Sequence, residues 1–476
     1  MQNLFFDTYA LDKNAIEKYS LNSTILMENA AKGMADFLSK KLKKESKILL
    51  LCGSGDNGAD CLTLARILAK SFKIHIFMPF GAKSALCVER LKTCEHLQKE
   101  GLLKIDSTIP LKKMDCIVDG IFGIGFKGEF SNELKDLITR INATKSLKIA
   151  CDIPSGINLE GKPQVFNEKY LAFKADFTLC MGALKIGLFS DLAKDFVGKV
   201  KLLDLGIHQK LFTQDSKIKL LKKCDFKAPM RSSKNTNKGS FGHTSVFCGK
   251  KSGASILSAK AALRSGSGLV TLISKTKANI PCEIMQNSEI PQNTTAILLG
   301  MGYGRENANT LEILEKFSKT PLLLDADIFY LTHFKTLLNT FENVILTPHP
   351  KEFLEILKRL NLCVSLKELQ ENRIHFAQIF AKKYPHATLL LKGANTIIAQ
   401  KDEIFINPLG SNILAKGGSG DVLAGMIGGY LAQGYSPLQS CIQGSLMHTI
   451  CAKKLSKKHN NFSLSPLDLI KQIRYI

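Results

Sequence analysis

Short, largely apolar runs recur along the chain, several of them ending on aspartate or opening into glycine. In the first half they are residues 47–52, 73–78, 115–119 and 148–152; in the second, 243–248, 269–273, 295–299, 321–324, 344–346 and 388–391. Runs this short with no polar face suit strands buried on both sides. Between them lie helical patterns at residues 23–41, with Leu26, Ala30, Met34 and Phe37 in register, and at 61–70 and 87–99. The alternation predicts an α/β fold built on parallel sheets with helices on both faces. At 476 residues the chain exceeds one ordinary domain. The polar, lysine-rich stretch 208–237, with Pro229, separates two such rhythms, so domains are expected at 1–210 and 211–476.

In parallel sheets ligands gather beyond the carboxyl ends of the strands. That singles out the glycine-rich turn at residues 53–60 and the strand-end aspartates Asp119 and Asp152 as candidates for one cleft. The excess behind the formal net charge of +23 is mostly lysine, spread along the chain without a long block. It reads as a solvated surface that attracts an anionic dinucleotide, with no nucleic-acid partner expected. The 13 cysteines include no C-x-x-C pair and sit in apolar segments, as Cys52, Cys116 and Cys248 do. Reduced, buried thiols are expected, without disulfides or zinc. Residues 1–10 lack a basic segment leading into an apolar core, and no apolar run approaches the roughly 20 residues of a membrane helix. The expectation is a cytoplasmic protein with no membrane partner.

Three segments of the first half belong together: C-G-S-G-D-N-G-A-D at 52–60, V-D-G-I-F-G-I-G-F-K-G at 118–128 and C-D-I-P-S-G at 151–156. With L-M-E-N-A at 26–30 they resemble the N-terminal domain of the NAD(P)H-hydrate epimerase family over residues 4–205. The resemblance implies a Rossmann-like three-layer αβα domain with a potassium ion held by Asn57, Asp119 and Ser155. It implies dinucleotide binding by Asp56, Asn57, Gly58, Ala59 and Asp60, and by Gly123, Ile124, Gly125, Phe126, Lys127, Gly128 and Glu129. Asp152 would contact the substrate and carry acid–base work. Where the family has N-N-G-G-D, this chain has Asp56-Asn57-Gly58-Ala59-Asp60.

The second half contains A-K-G-G-S-G-D-V-L-A-G at 415–425, three glycines leading into an apolar helix with Asp421 in its first turn. Such a helix start offers unpaired N–H groups and a positive dipole end to an anion. The G-x-G-D pattern resembles the ribokinase-like superfamily. K-G-S-F-G-H at 238–243, A-A-L-R-S-G-S-G-L-V at 261–270, G-M-G-Y-G at 300–304, T-P-H-P-K-E at 347–352 and L-K-G-A-N-T at 391–396 narrow it to the ADP-dependent NAD(P)H-hydrate dehydratases. That implies a ribokinase-like αβα domain, with Lys392, Gly393, Ala394, Asn395, Thr396 and Gly420 binding the adenine nucleotide. Ala254, Gly302, His349 and Asp421 would bind the hydrated nicotinamide, with Asp421 catalytic. The segment G-S-N-I-L at 410–414 departs from the family's glycine–asparagine–proline–glycine–methionine.

Both halves in one chain resemble the bifunctional repair enzymes of hydrated nicotinamide cofactors. The implied activities are epimerisation of (R)- and (S)-NAD(P)H hydrate and ADP-dependent dehydration of the S form to NAD(P)H, AMP and phosphate. The implied cofactors are K+ in the first half and Mg2+ with ADP in the second, and the chain is expected to form a homo-oligomer. Two rivals stand beside this reading. One is a small-molecule kinase making a stable phosphoester; the other makes the first half a non-catalytic dinucleotide-binding module.

Overall fold

The computed structural model describes residues 1–126, 128–276, 279–305, 314–362 and 364–476. The chain divides into two compact units, Asn3–Ser216 and Lys217–Ile476, the latter with Met1–Gln2. The division falls inside the polar stretch, six residues beyond the expected 210/211 boundary.

Among the described residues, the first unit contains a seven-stranded sheet whose paired neighbours all run parallel. Its strands are β1 (Lys47–Cys52), β2 (Lys73–Phe77), β3 (Leu103–Ile105), β4 (Cys116–Gly120), β5 (Leu147–Cys151), β6 (Phe177–Met181) and β7 (Lys199–Leu203), in the order β7-β6-β5-β4-β1-β2-β3. The longer helices are α1 (Tyr9–Tyr19), α2 (Ser23–Ser39), α3 (Asp56–Leu68), α4 (Ala85–Lys99) and α5 (Asn132–Asn142). The side chains of Asn22, Ser84 and Ser131 cap α2, α4 and α5 by accepting from Ile25, Cys87 and Leu134 N–H. Successive residues of β1 point to opposite sides. Ile48, Leu50 and Cys52 join the cluster built on α2, α3 and α4, while Leu49 and Leu51 join the one built on α5. The sheet is therefore the middle of three layers.

The sequence places residues 53–60 in a turn and starts the next helix at Cys61, but α3 begins at Asp56. Gly58 lies inside its first turn because a Cβ there would stand 2.0 Å from the Gly53 carbonyl oxygen. The glycine permits the helix to press against the strand end rather than marking a loop.

In the second unit the strands are β8 (Ile218–Leu220), β9 (His243–Phe247), β10 (Leu269–Ile273), β11 (Met285–Asn287), β12 (Ala296–Leu299), β13 (Leu322–Leu324), β14 (Val344–Leu346), β15 (Ala387–Leu391), β16 (Thr396–Gln400) and β17 (Glu403–Asn407). Within the unit they follow the order β8-β17-β16-β15-β14-β13-β12-β9-β10-β11. From β15 to β11 all pairings are parallel, but β15, β16 and β17 form an antiparallel meander that the expectation of parallel sheets did not include. Every residue of β12 to β15 is buried, as in a sheet covered on both faces. Helices α6 (Ser252–Arg264), α9 (Ser419–Ala432) and α10 (Pro437–Leu455) share one core cluster with alternate strand residues Val246, Leu298, Leu323 and Leu390. Helices α7 (Pro350–Arg359) and α8 (Arg373–Lys383) complete the unit's main framework, and α8 packs against β15 and β16. No helix among the described residues is long and apolar enough to cross a membrane. Every described cysteine is a free thiol.

Candidate functional sites

The first unit holds a cleft of about 860 Å3 at the carboxyl ends of its strands. Asp56, Asn57, Asp60, Gly123, Ile124, Gly125, Phe126 and Asp152 all line it. Gly58 and Ala59 do not: Ala59 is wholly buried in the core, with its N–H bonded to the Gly55 carbonyl, and Gly58 is buried against Gly53. Gly128 and Glu129 line a neighbouring hollow, which Ile124 and Phe126 share with the cleft. Lys127 lies outside the described residues.

Asn57 and Ser155 both bond the peptide of Phe122, and Ser155 links it to Asp119. The Asn57 amide donates to the Phe122 carbonyl (3.0 Å), and Ser155 Oγ accepts from the Phe122 N–H (2.9 Å). Ser155 also holds Asp119, donating from its N–H (2.7 Å) and its hydroxyl (2.6 Å). Asp119 is fully buried, and no ion pair reaches it among the described residues. Burial pushes its carboxyl up to about 7, although the hydrogen bonds from Ser155 and Ile121 act against the rise. One buried carboxyl without a cation, set among amide and hydroxyl oxygens, is a donor set that fits a hard monovalent cation.

Asp152 follows β5 directly and adopts φ 67°, a left-handed conformation uncommon for a non-glycine residue. Its neighbours include groups that the sequence reading missed. Lys185 pairs with it at 2.5 Å, and Tyr9 and Asp12 of α1 line the same cleft. Burial pushes Asp12 up to about 6 and raises Asp60 well above the usual carboxylate range.

In the second unit Gly420, Asp421 and His349 lie around Lys392, which follows β15. Residues 392–396 form the turn between β15 and β16, with Ala394 packed over Gly410 and Thr396 opening β16. Lys392 pairs with Asp325 (2.9 Å), and Glu352 lies 3.8 Å away. A Cβ added to Gly420 would stand 3.5 Å from Lys392 Nζ, which places the first turn of α9 beside this ammonium. Asp421 sits in that turn and its carbonyl accepts from Ser258 Oγ (2.8 Å). Burial first, then the charges of Asp325 and Asp327, push Asp421 up to about 6, while Lys392 opposes them. Close packing of α9 on α6 depends on Gly425, where a Cβ would stand 2.1 Å from the Ser258 carbonyl oxygen. Gly302 and Ala254 are in contact, since a Cβ on the former would reach 3.1 Å from that of the latter.

His349 caps α7. Its Nδ1 accepts from the N–H groups of Lys351 and Glu352, and its own N–H donates to Glu352 Oε2. Burial and Lys392 hold its imidazole below the usual value, and burial pushes Glu352 up to about 7.

Three supporting residues escaped the sequence reading. Asp325 and Asp327 follow the run Leu322–Leu324, a strand-end signal of the kind that marked Asp119. Arg373 of α8 is buried and donates to the carbonyls of Leu391 (3.2 Å), Lys392 (2.9 Å) and Asn395 (3.2 Å), binding the 392–396 turn from beneath.

A family model described as NAD(P)H-hydrate dehydratase matches residues 244–475, and one described as YjeF-related protein N-terminus matches residues 23–187. The chain is 41% identical to the bifunctional NAD(P)H-hydrate repair enzyme of Helicobacter pylori, over 100% of both chains. It is 33% identical to the enzyme of that name from Dictyoglomus turgidum, over 97% of this chain and 95% of the relative. Among solved structures, the ADP/ATP-dependent NAD(P)H-hydrate dehydratase of Bacillus subtilis, co-crystallised with ATP and Mg2+, aligns with a TM-score of 0.44 and 25% identity, covering 52% of this chain and 92% of that one.

Proposed function

The chain belongs to the family of bifunctional NAD(P)H-hydrate repair enzymes, and we propose that it returns hydrated nicotinamide cofactors to NAD(P)H through two activities. The first unit interconverts the R and S hydrates; the second dehydrates the S hydrate at the expense of ADP, releasing AMP and phosphate. Cytoplasmic residence and a homo-oligomeric state belong to the same reading, the latter to be checked by light scattering.

In the hydrate the hydroxyl-bearing carbon is bonded to the ring nitrogen, whose lone pair can expel a protonated hydroxyl as water. Water returning to the opposite face inverts the centre and no oxidant is needed. Asp152 is suited to take the proton of the incoming water. A neutral carboxyl, for which burial fits Asp60 and Asp12, is suited to protonate the departing hydroxyl. Asn57, Asp119 and Ser155 would hold K+, which supplies the positive charge that Asp119 lacks.

Asp421 carries the dehydratase reading. It stands in the first turn of α9, beside helix-start N–H groups open to a phosphate, with Lys392 close by. Hydroxide leaves poorly and phosphate leaves well, so Asp421 takes the hydroxyl proton as the hydroxyl oxygen attacks the terminal phosphoryl group of ADP, with AMP as the leaving group. Elimination of phosphate then restores the reduced ring. Residues 392–396 and Gly420 would hold the nucleotide, with Ala254, Gly302 and His349 against the nicotinamide. Mg2+ on the phosphates would offset charge that Asp325, Asp327 and Asp421 otherwise add to.

The test supplies purified protein with mixed NADH hydrate epimers, K+, Mg2+ and ADP, and follows the absorbance of reduced nicotinamide. Full recovery is expected, and loss of recovery in Asp421→Ala. Recovery that halts at the S fraction would remove the epimerase. A stable phosphoester in place of NADH would make the second unit a small-molecule kinase.

A further inference from the structure

The Lys185 ammonium is buried, with the residue only 3% exposed, at the wall of a cleft that also holds Asp12, Asp60 and Asp152. Asp152 Oδ1 lies 2.5 Å from Lys185 Nζ and also accepts from the Met181 N–H at 2.9 Å, while the Asp152 N–H donates to the Leu179 carbonyl. Among the described residues no hydrogen bond reaches Asp152 Oδ2. The other partners of the ammonium are the carbonyls of Met181 (3.2 Å) and Ala183 (3.4 Å) and the sulfur of Cys180 (3.7 Å). An ammonium has three protons, and these acceptors engage them inside the protein. None is left for a substrate.

We propose that Lys185 is a positioning residue of the epimerase: it acts only through Asp152, locking one carboxylate oxygen and its charge so that the other is offered to the substrate. This rests on the epimerase reading of the first unit. A left-handed aspartate at a strand end is a conformation that surrounding contacts must impose, and Lys185 with the Met181 N–H imposes it through a single oxygen. The groups facing Asp152 are Tyr9 and Asp12 from α1, Asp60 from α3, and Cys151, Cys180 and Lys185 behind it. Lys185 is the one cation named among them. Burial by itself would lower its basicity, but Asp152 first, with Cys180 and Asp12 adding to it, raises it above the ordinary lysine value, so it stays charged. Among the described residues no cation is bonded to Asp12 or Asp60, and burial shifts both toward their neutral forms. The cation thus separates the three carboxyls into one base and two proton carriers.

The experiment uses the full chain, pure (R)-hydrate and separation of the epimers by chromatography. Dehydration of (S)-hydrate by the same preparation reports the integrity of the second unit, and thermal unfolding reports that of the first. Lys185→Met should lower epimerase kcat by roughly 100- to 1000-fold with KM within about threefold, and move the acid limb of its pH profile upward. Lys185→Arg should recover part of kcat. In an Asp152→Asn background, Lys185→Met should change kcat by no more than about twofold. The double variant removes both charges of the pair and leaves no unpaired buried ion, so the comparison survives if the single variant folds poorly. Wild-type kcat in Lys185→Met, or an equal fall in the Asp152→Asn background, would overturn the proposal. No interconversion by the unaltered chain would instead remove the epimerase reading on which it stands.

Discussion

Replacing Arg373 by leucine tests whether the turn that follows β15 is the nucleotide site. The guanidinium donates to three carbonyls of residues 391–395 from a buried position. A hydrogen bond to a charged donor is worth about 1.5–3 kcal/mol, so three would sum to at most about 5–9 kcal/mol. Leucine keeps part of the stem packing, and Leu391 also remains paired in register with Ile397 of β16. A loss of about 3–5 kcal/mol, the usual cost of removing one partner from a buried charged network, is the expected result. The second unit should survive, because domain stabilities run about 5–15 kcal/mol. Its residual cost should fall on ligand binding, with KM for ADP rising roughly 10- to 100-fold and kcat within about threefold. Urea unfolding measures the first effect and initial-rate kinetics the second, with epimerase activity as an internal control. A variant destabilised by the expected amount whose KM for ADP is unchanged would refute the assignment of residues 392–396 to the nucleotide. A stability change below about 0.5 kcal/mol would refute the energetic argument itself.

Two further predictions concern protons. Asp421 must be ionised to act as a base, so dehydratase kcat/KM should fall below about pH 6. Asp325→Asn removes a like charge and releases Lys392, both of which favour the Asp421 anion, so the limb should move down by roughly half a unit to one unit; a limb that stays put would mean another group is titrating. His448 of α10 lies within 3.2 Å of Ser419 Oγ at the start of α9, and burial holds its imidazole down to about 4. Between the ordinary histidine value of 6.5 and about 4 the unfolded chain takes up a proton that the folded chain refuses. Stability from this residue is therefore complete above 6.5 and lost as pH falls through that window, by about 3 kcal/mol. His448→Gln should flatten this part of the acid loss in urea titrations at pH 7 and 4.5, and equal losses in both proteins would sink the assignment.

The strands were the most legible part of the fold, because burial on both faces leaves a signal in composition alone. The runs at 47–52, 269–273 and 344–346 coincide with β1, β10 and β14 to the residue. Strand ends carried the site signal for the same reason: an aspartate after an apolar run, as at Asp119 and Asp152, has few purely structural uses. Asp325 follows Leu322–Leu324 in the same way and carries the same signal. Gly58 misled because glycine reports a close approach as readily as a turn, and only the Gly53 carbonyl 2.0 Å from its absent Cβ distinguishes the two.

The cations were illegible for a different reason. Lys185 sits in A-L-K-I-G and Arg373 in N-R-I-H-F, contexts that suit a surface residue, among 65 lysines and arginines. What makes them part of a site is a partner distant in sequence: Asp152, 33 positions before Lys185, or the Leu391–Asn395 carbonyls 18 to 22 positions after Arg373. Each cation is buried only because its acceptors are. A rule that scores residues singly assigns it to solvent, and a rule that looks for acids finds half of the pair. In this chain both candidate sites rest on such a pair, Lys185 with Asp152 and Lys392 with Asp325. In the first pair the sequence shows the acid and hides the cation, and in the second the motif shows Lys392 while Asp325 stands unremarked at its strand end, so the productive search runs from each strand-end aspartate to the cation that neutralises it.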